Sequence, residues 1–212
     1  MRVIAGTARG IELRRPRAGT TRPTAGRLRE SWFAMLDAAG ADLSRVLDLY
    51  AGSGALGIEA LSRGGGVATF VEADRRAAAV IRENLRRTRL DEQAEVVVGR
   101  VERWRRGERD RYTLVVADPP YDGGDPWGAI VRAIDGALEP HAVVAVEHDA
   151  RRSPPEELGG LRLWRDRRQG AGAVAVYRAE DWESVHPRAR GTAPTSTPGW
   201  HPGPQPEPEA SE

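Results

Sequence analysis

The 212-residue chain contains no cysteine and no lysine. The first absence excludes disulfides, thiolate nucleophiles and zinc–thiolate sites. The second leaves all 32 basic residues as arginine, which codon bias in a GC-rich genome explains as well as function does. The start, Met1-Arg2-Val3-Ile4-Ala5-Gly6, lacks the apolar stretch of a signal peptide. No run approaches the roughly 18 apolar residues of a membrane span. A soluble, cytoplasmic protein with no membrane contact is expected. Histidine is scarce, and His186 and His201 stand isolated among prolines, so they read as solvated and no metal is expected.

The charge that is present is unevenly spread. Residues 1–30 carry eight arginines against Glu12 and Glu30, a net of +6, whereas residues 183–212 carry two arginines against four glutamates, a net of −2. The basic segment, with Arg9, Arg14, Arg15, Arg17 and Arg22, suits contact with nucleic-acid phosphates; a merely solvated face has the same composition.

Three regions follow from the pattern. Residues 1–25 read as a basic extension made of a small hairpin, with Gly6 and Gly10, and a loop. Residues 26–182 read as one α/β domain. Residues 183–212 read as a disordered tail; seven of the fifteen prolines fall within 184–212, too little apolar surface to offset ordering entropy. Within the domain, Leu28, Trp32, Met35, Leu36 and Ala39 recur at helical spacing, with Trp32 as a core residue. Strands are predicted at 45–50, 67–71, 94–98, 113–117 and 142–147, and helices at 55–63, 75–88 and 127–138. Asp74 is the expected N-cap of the second of these helices. Residues 161–166 and 172–178, joined by Gln169-Gly170-Ala171-Gly172, read as a closing antiparallel hairpin. Alternation of this kind predicts a mostly parallel sheet with helices on both faces.

Two motifs fall at predicted strand ends. Arg45–Tyr50 empties into Gly52-Ser53-Gly54-Ala55-Leu56-Gly57, where glycines allow a tight turn and a close backbone approach at a helix N-terminus. Glu72 closes the next strand at a spacing that suits a carboxylate on two ribose hydroxyls. NAD and S-adenosylmethionine satisfy this pattern equally. The second motif, Asp118-Pro119-Pro120-Tyr121, follows Leu114–Ala117. An aromatic amine is a poor nucleophile because its lone pair is delocalised; acceptors on its N–H groups localise that pair. Asp118 and the Pro119 carbonyl supply two acceptors on a turn stiffened by Pro119 and Pro120. Tyr121 is placed to stack on the base, worth about 1–3 kcal/mol. The bland reading is a Pro-Pro turn with an exposed tyrosine. Both motifs together point to a methyltransferase acting on an exocyclic amine.

The chain resembles the bacterial RsmD family of 16S rRNA guanine-N2 methyltransferases. The matching stretches are Arg2–Gly6 with Arg9-Gly10, Thr21-Arg22-Pro23-Thr24 with Arg27–Ser31, Asp48–Arg63, Val71–Asp74, Asp118–Tyr121 and Val146-Glu147-His148. The resemblance implies a class I S-adenosylmethionine-dependent fold, Rossmann-like, with a seven-stranded sheet. It implies methyl transfer to the N2 amine of a guanine, of the guanine 966 type, during small-subunit maturation. The donor would meet Asp48, Tyr50, Gly52, Ser53, Gly54 and Glu72, with Arg100 and Val101 framing the adenine. Arg22, Pro23 and Thr24 would border the active site, and the partner would be 16S rRNA or an assembling small subunit, met by a monomer. Two positions depart from the family: Gly26 stands where Asp is frequent, and Arg100 where related enzymes often carry an acid. The same tetrapeptide also serves DNA adenine and protein glutamine methylation, and a NAD-dependent oxidoreductase or a non-catalytic RNA-binding protein could retain the fold. His148 reads as a structural residue more than as a base.

Overall fold

Short apolar runs bounded by glycine and proline turns build the centre of the sheet, as expected for strands buried on both faces. The computed structural model describes residues 1–16, 26–107, 110–120 and 125–182. The expectations for Arg17, Arg22, Pro23, Thr24, Tyr121 and the tail at 183–212 lie outside these residues.

Five strands are parallel in the order β3 (Ala94–Val98), β2 (Val67–Glu72), β1 (Arg45–Leu49), β4 (Tyr112–Ala117) and β5 (Leu138–Asp149). Three antiparallel strands complete the sheet beyond β5: β8 (Gly172–Arg178), β7 (Leu161–Gln169) and β6 (Glu157–Leu158). The sheet is therefore eight-stranded, because two residues, Glu157 and Leu158, pair on the edge of β7 beyond the seven strands expected.

Successive residues of each central strand enter opposite layers. Val46, Phe70, Leu114, Val116, Val143 and Val174 pack with α1 (Gly26–Ala39), α2 (Ala55–Ser62) and α3 (Arg75–Thr88), where Trp32 is fully buried. Leu47, Leu49, Val115, Ala117, Val144 and Val146 pack under α4 (Pro126–Ile134) and the Val101–Trp104 turn. The architecture is an α/β sheet closed by an antiparallel hairpin, as the class I fold implied by the resemblance requires.

The α3 bounds match the sequence reading, and Asp74 caps it by accepting from the Arg76 N–H at 2.8 Å. Among the other boundaries, three move by three residues or more. Helix α4 ends at Ile134 instead of 138, since Gly136 takes φ 58° and Leu138 already pairs with Tyr112 on β4. Ala137 and Leu138 continue the apolar period of the helix, which disguises the break. Strand β5 consequently begins at Leu138, four residues earlier than expected, and takes up a bulge in which His141 has φ 63°. Strand β7 runs on past the expected 166 to Gln169; Arg167 and Arg168 look like loop in composition but pair with β8.

Residues 1–16 lie against α2 and α3 through buried polar side chains. Glu59 on α2 is fully buried and accepts from the Ile4 and Ala5 N–H groups at 2.7 and 3.0 Å, and from Arg63 Nε at 2.9 Å. Ser62 Oγ accepts from Ala8 N–H and donates to the Ala5 carbonyl. Arg2 and Glu12 form a single antiparallel bridge in the expected hairpin. Gly6 makes the close approach possible: at φ 83°, a Cβ there would lie 1.6 Å from the Ser62 carbonyl oxygen.

Candidate active site

The strand order reverses direction between β1 and β4, so the chain departs to opposite sides from their carboxyl ends and leaves a crevice there. Leu49 of β1 stands opposite Ala117 of β4. Tyr50 and Asp118, the next residues, therefore leave the sheet side by side, and the glycine turn and the Asp-Pro-Pro motif meet at one place.

The turn is built to expose its backbone. Tyr50, Gly52 and Gly54 have φ of 58°, 56° and 76°. Gly54 caps α2 with no side-chain bond, and a Cβ there would touch Ile81 at 3.0 Å. Glu72, at the end of β2, accepts from Gly52 N–H with Oε2 at 2.7 Å and from Asp74 N–H with Oε1 at 2.8 Å. Each oxygen keeps a second lone pair, so the carboxylate is held in position and still offers two acceptors. Ser53 gives its carbonyl to the amide of Asn84 at 2.9 Å.

Asp48 lies beneath the turn, fully buried, and accepts from Gly57 N–H at 2.9 Å. Burial pushes its carboxyl well above the usual range; the Gly57 bond opposes this, and the nearby charges of Asp118 and Glu72 add to it. Three carboxyl groups thus lie close together at the crevice. Tyr50 is half-buried, and its phenol is raised by burial first and then by Glu102, with which it hydrogen-bonds. Val101 is buried beneath the end of β3, whereas the Arg100 side chain is exposed. The Arg100 carbonyl accepts from Trp104 N–H at 2.9 Å and Arg103 N–H at 3.0 Å.

A cleft of about 290 Å³ opens beyond Asp118, lined by Pro119, Pro120, Trp127, His148 and Arg152 among others. Asp125 caps α4 by accepting from Trp127 N–H at 3.0 Å, with Pro126 in the first turn, and so aims the indole at the cleft. The Trp127 ring lies 5.8 Å from that of His148 and 6.2 Å from that of Tyr177. His148 is itself held by Asp166 at 3.0 Å and by the Asp149 carbonyl at 3.1 Å, the geometry of a positioned wall residue.

Of the residues proposed to meet RNA, Arg14 and Arg15 are exposed in side chain, as is Arg9. Arg14 is brought next to the glycine turn: Asn84 accepts from its N–H at 2.8 Å and donates to its carbonyl at 3.0 Å. Its guanidinium meets Glu83 at 2.8 Å. Sequence reasoning missed Asn84 as a link, Glu59 as an anchor, and Trp127 with Arg152 as cleft residues. Only Trp127 had a local signal, an aromatic behind an Asp-Pro helix start.

The family described as conserved hypothetical protein 95 matches residues 1–178. The chain belongs to this family, the RsmD family. It is 33% identical over 181 residues to ribosomal RNA small subunit methyltransferase D of Escherichia coli strain K12, covering 85% of this chain and 90% of that one. It is 37% identical over 183 residues to YlbH of Bacillus subtilis, a provisionally named rRNA methyltransferase, covering 84% of this chain and 98% of its relative. Among solved structures, the methyltransferase yhhF from Escherichia coli superposes with a TM-score of 0.70 at 31% identity, covering 85% of this chain and 98% of that one. No group of three or more His, Asp or Glu side chains that could hold a metal lies among the described residues, and no helix there is long and apolar enough to cross a membrane.

Proposed function

We propose that this RsmD-family protein transfers a methyl group from S-adenosylmethionine to the exocyclic N2 amine of a guanine in 16S rRNA, of the guanine 966 type, during maturation of the small ribosomal subunit. It acts as a cytoplasmic monomer on the RNA or on an assembling subunit. The observation that carries this reading is the register of β1 and β4, which brings Asp118-Pro119-Pro120 beside the glycine turn and Glu72. The small subunit methyltransferase named above, with which the chain aligns over most of its length, supports the substrate class.

The residues present fit the donor. Gly52 and Gly54 leave the turn without side chains, and Glu72 offers two acceptors to vicinal ribose hydroxyls. When bound, the donor supplies a methyl already activated on a positively charged sulfur. Asp118 and the Pro119 carbonyl accept the amine N–H groups and localise the nitrogen lone pair. Pro119 and Pro120 lack N–H groups, so the turn keeps its carbonyls directed outward. The cleft wall of Trp127 and His148 excludes water and holds an unstacked base, whose extraction costs a few kcal/mol. Alignment of nitrogen, methyl and sulfur is then the chief contribution to rate.

Single-turnover methylation of rRNA from cells lacking the gene tests this. Wild-type protein should label one guanine, and Asp118→Ala should slow transfer on the order of 10²-fold, as when one preorganised polar group is lost from a transition-state site, with donor and RNA affinity nearly unchanged. A fully active Asp118→Ala protein would overturn the mechanism.

A further inference from the structure

Strand β7 presents Arg162, Arg165, Arg167 and Arg168 to solvent. Its one acidic side chain, Asp166, is bonded to His148 on the cleft wall. Because β8 is antiparallel to both β5 and β7, β7 runs parallel to β5. The Arg165–Arg168 half therefore lies at the same end of the sheet as Asp118 and His148. Two strand spacings separate β7 from β5, about 10 Å. Strand β6 covers only Leu161 and Arg162, so among the described residues the Arg165–Arg168 half is the open edge of the sheet.

Charge on an open edge deters strand pairing whatever its sign. Here the exposed charge is of one sign and flanks the edge on both faces: Arg168 shares the face of Asp166 and of Arg152 at the cleft mouth, and Arg165 and Arg167 lie on the other face. Arg165 also lies over the Trp164 ring at 4.4 Å, which holds its guanidinium in place and leaves the donors of its rim outward. Arg162 is set apart, since it meets Glu180 at 3.5 Å. Arg14 is anchored on the other side of the crevice, beside the glycine turn.

We propose that the cleft end of β7, through Arg165, Arg167 and Arg168 with Arg152, contacts the phosphates of the RNA strand that carries the target base. The strand is then gripped on both flanks of the extruded base, by the exposed Arg15, next to the anchored Arg14, on the donor side and by β7 on the other. This rests on the RNA methyltransferase reading above.

The test uses the full chain and a fluorescein-labelled RNA hairpin with a loop guanine. Anisotropy is followed over a salt series for wild type, for Arg167→Glu with Arg168→Glu, and for Arg167→Gln with Arg168→Gln. Arg86→Glu with Arg89→Glu is the charge-matched control, since both side chains are exposed and the C-terminus of α3 lies at the opposite end of the sheet. Both β7 pairs should weaken RNA binding more than the control does, and the Gln pair should lower the slope of log K against log salt by about 2. S-adenosylhomocysteine binding and thermal midpoint should stay at wild-type values. RNA affinity in both β7 pairs no lower than in the control would remove this inference and leave the enzymatic reading intact. A wild-type chain that bound neither RNA nor S-adenosylhomocysteine would remove both.

Discussion

Asn84 donates its side-chain amide to the Ser53 carbonyl at 2.9 Å, across 31 residues of chain. The same amide holds both backbone groups of Arg14, so one fully buried side chain joins the donor turn to the basic N-terminal segment. Truncation to Asn84→Ala leaves partly buried backbone groups of Ser53 and Arg14 without this partner, at a cost of about 0.5–1.5 kcal/mol for each bond lost. The variant should unfold at lower urea concentration and bind S-adenosylhomocysteine more weakly by calorimetry. Unchanged donor affinity would show that the turn keeps its shape without Asn84.

Gly57 sits where no side chain fits. A Cβ there would lie 2.4 Å from Phe70 Cε1 and 3.0 Å from Asp48 Oδ2, and Phe70 is fully buried. Gly57→Ala should destabilise the protein by about 1–3 kcal/mol through overpacking. Gly99→Ala is the control, since a Cβ there meets nothing within 4 Å. Equal urea midpoints for the two variants would contradict the crowding.

Glu72→Ala removes both the acceptors offered to the ribose and the brace on Gly52 N–H. Hydrogen bonds to a charged group contribute about 1.5–3 kcal/mol, so the dissociation constant for S-adenosylhomocysteine should rise at least tenfold. Glu72→Gln should fall between the two, because the amide retains only one acceptor oxygen. Calorimetry that found the three proteins alike would place the donor elsewhere.

Asp48 gives stability a pH dependence of known sign. Its carboxyl is raised in the folded state, chiefly by burial. The unfolded chain gives up this proton near pH 3.9, while the folded chain retains it. Asp48 therefore favours the fold below that value, and the contribution is lost as pH rises towards the raised one. Asp48→Asn keeps an acceptor for Gly57 N–H and removes the titration. Its urea midpoint relative to wild type should climb from pH 4 to pH 8. Parallel curves for the two proteins would show that Asp48 ionises normally.

The features legible in the sequence are those that chemistry ties to a local pattern. Asp74 before the Ala77, Ile81, Leu85 period predicts α3 with the bounds found. Gly52 and Gly54 between two apolar runs place the turn, and Asp118-Pro119-Pro120 places the other half of the crevice. The features that were not legible depend on partners far away in the chain. Glu59 looks like a solvated helix residue, and Asn84 falls on the inner face of α3 with nothing nearby to name its partner, yet each is buried because it satisfies backbone groups 54 to 70 residues earlier. No local composition announces such a pairing. The end of α4 was obscured for a different reason, since Ala137 and Leu138 fit a helix period as well as they fit the start of β5.

The anchoring of residues 4–14 on α2 and α3 also has a consequence in time. A ribosome makes this segment before the helices that seat it, and the Asn84 amide that holds Arg14 arrives 70 residues later. At roughly 5–20 residues per second, that is a wait of about 4–14 s. During synthesis this basic segment is therefore exposed without its seat, and the pairing that seats it closes only after α3 has emerged.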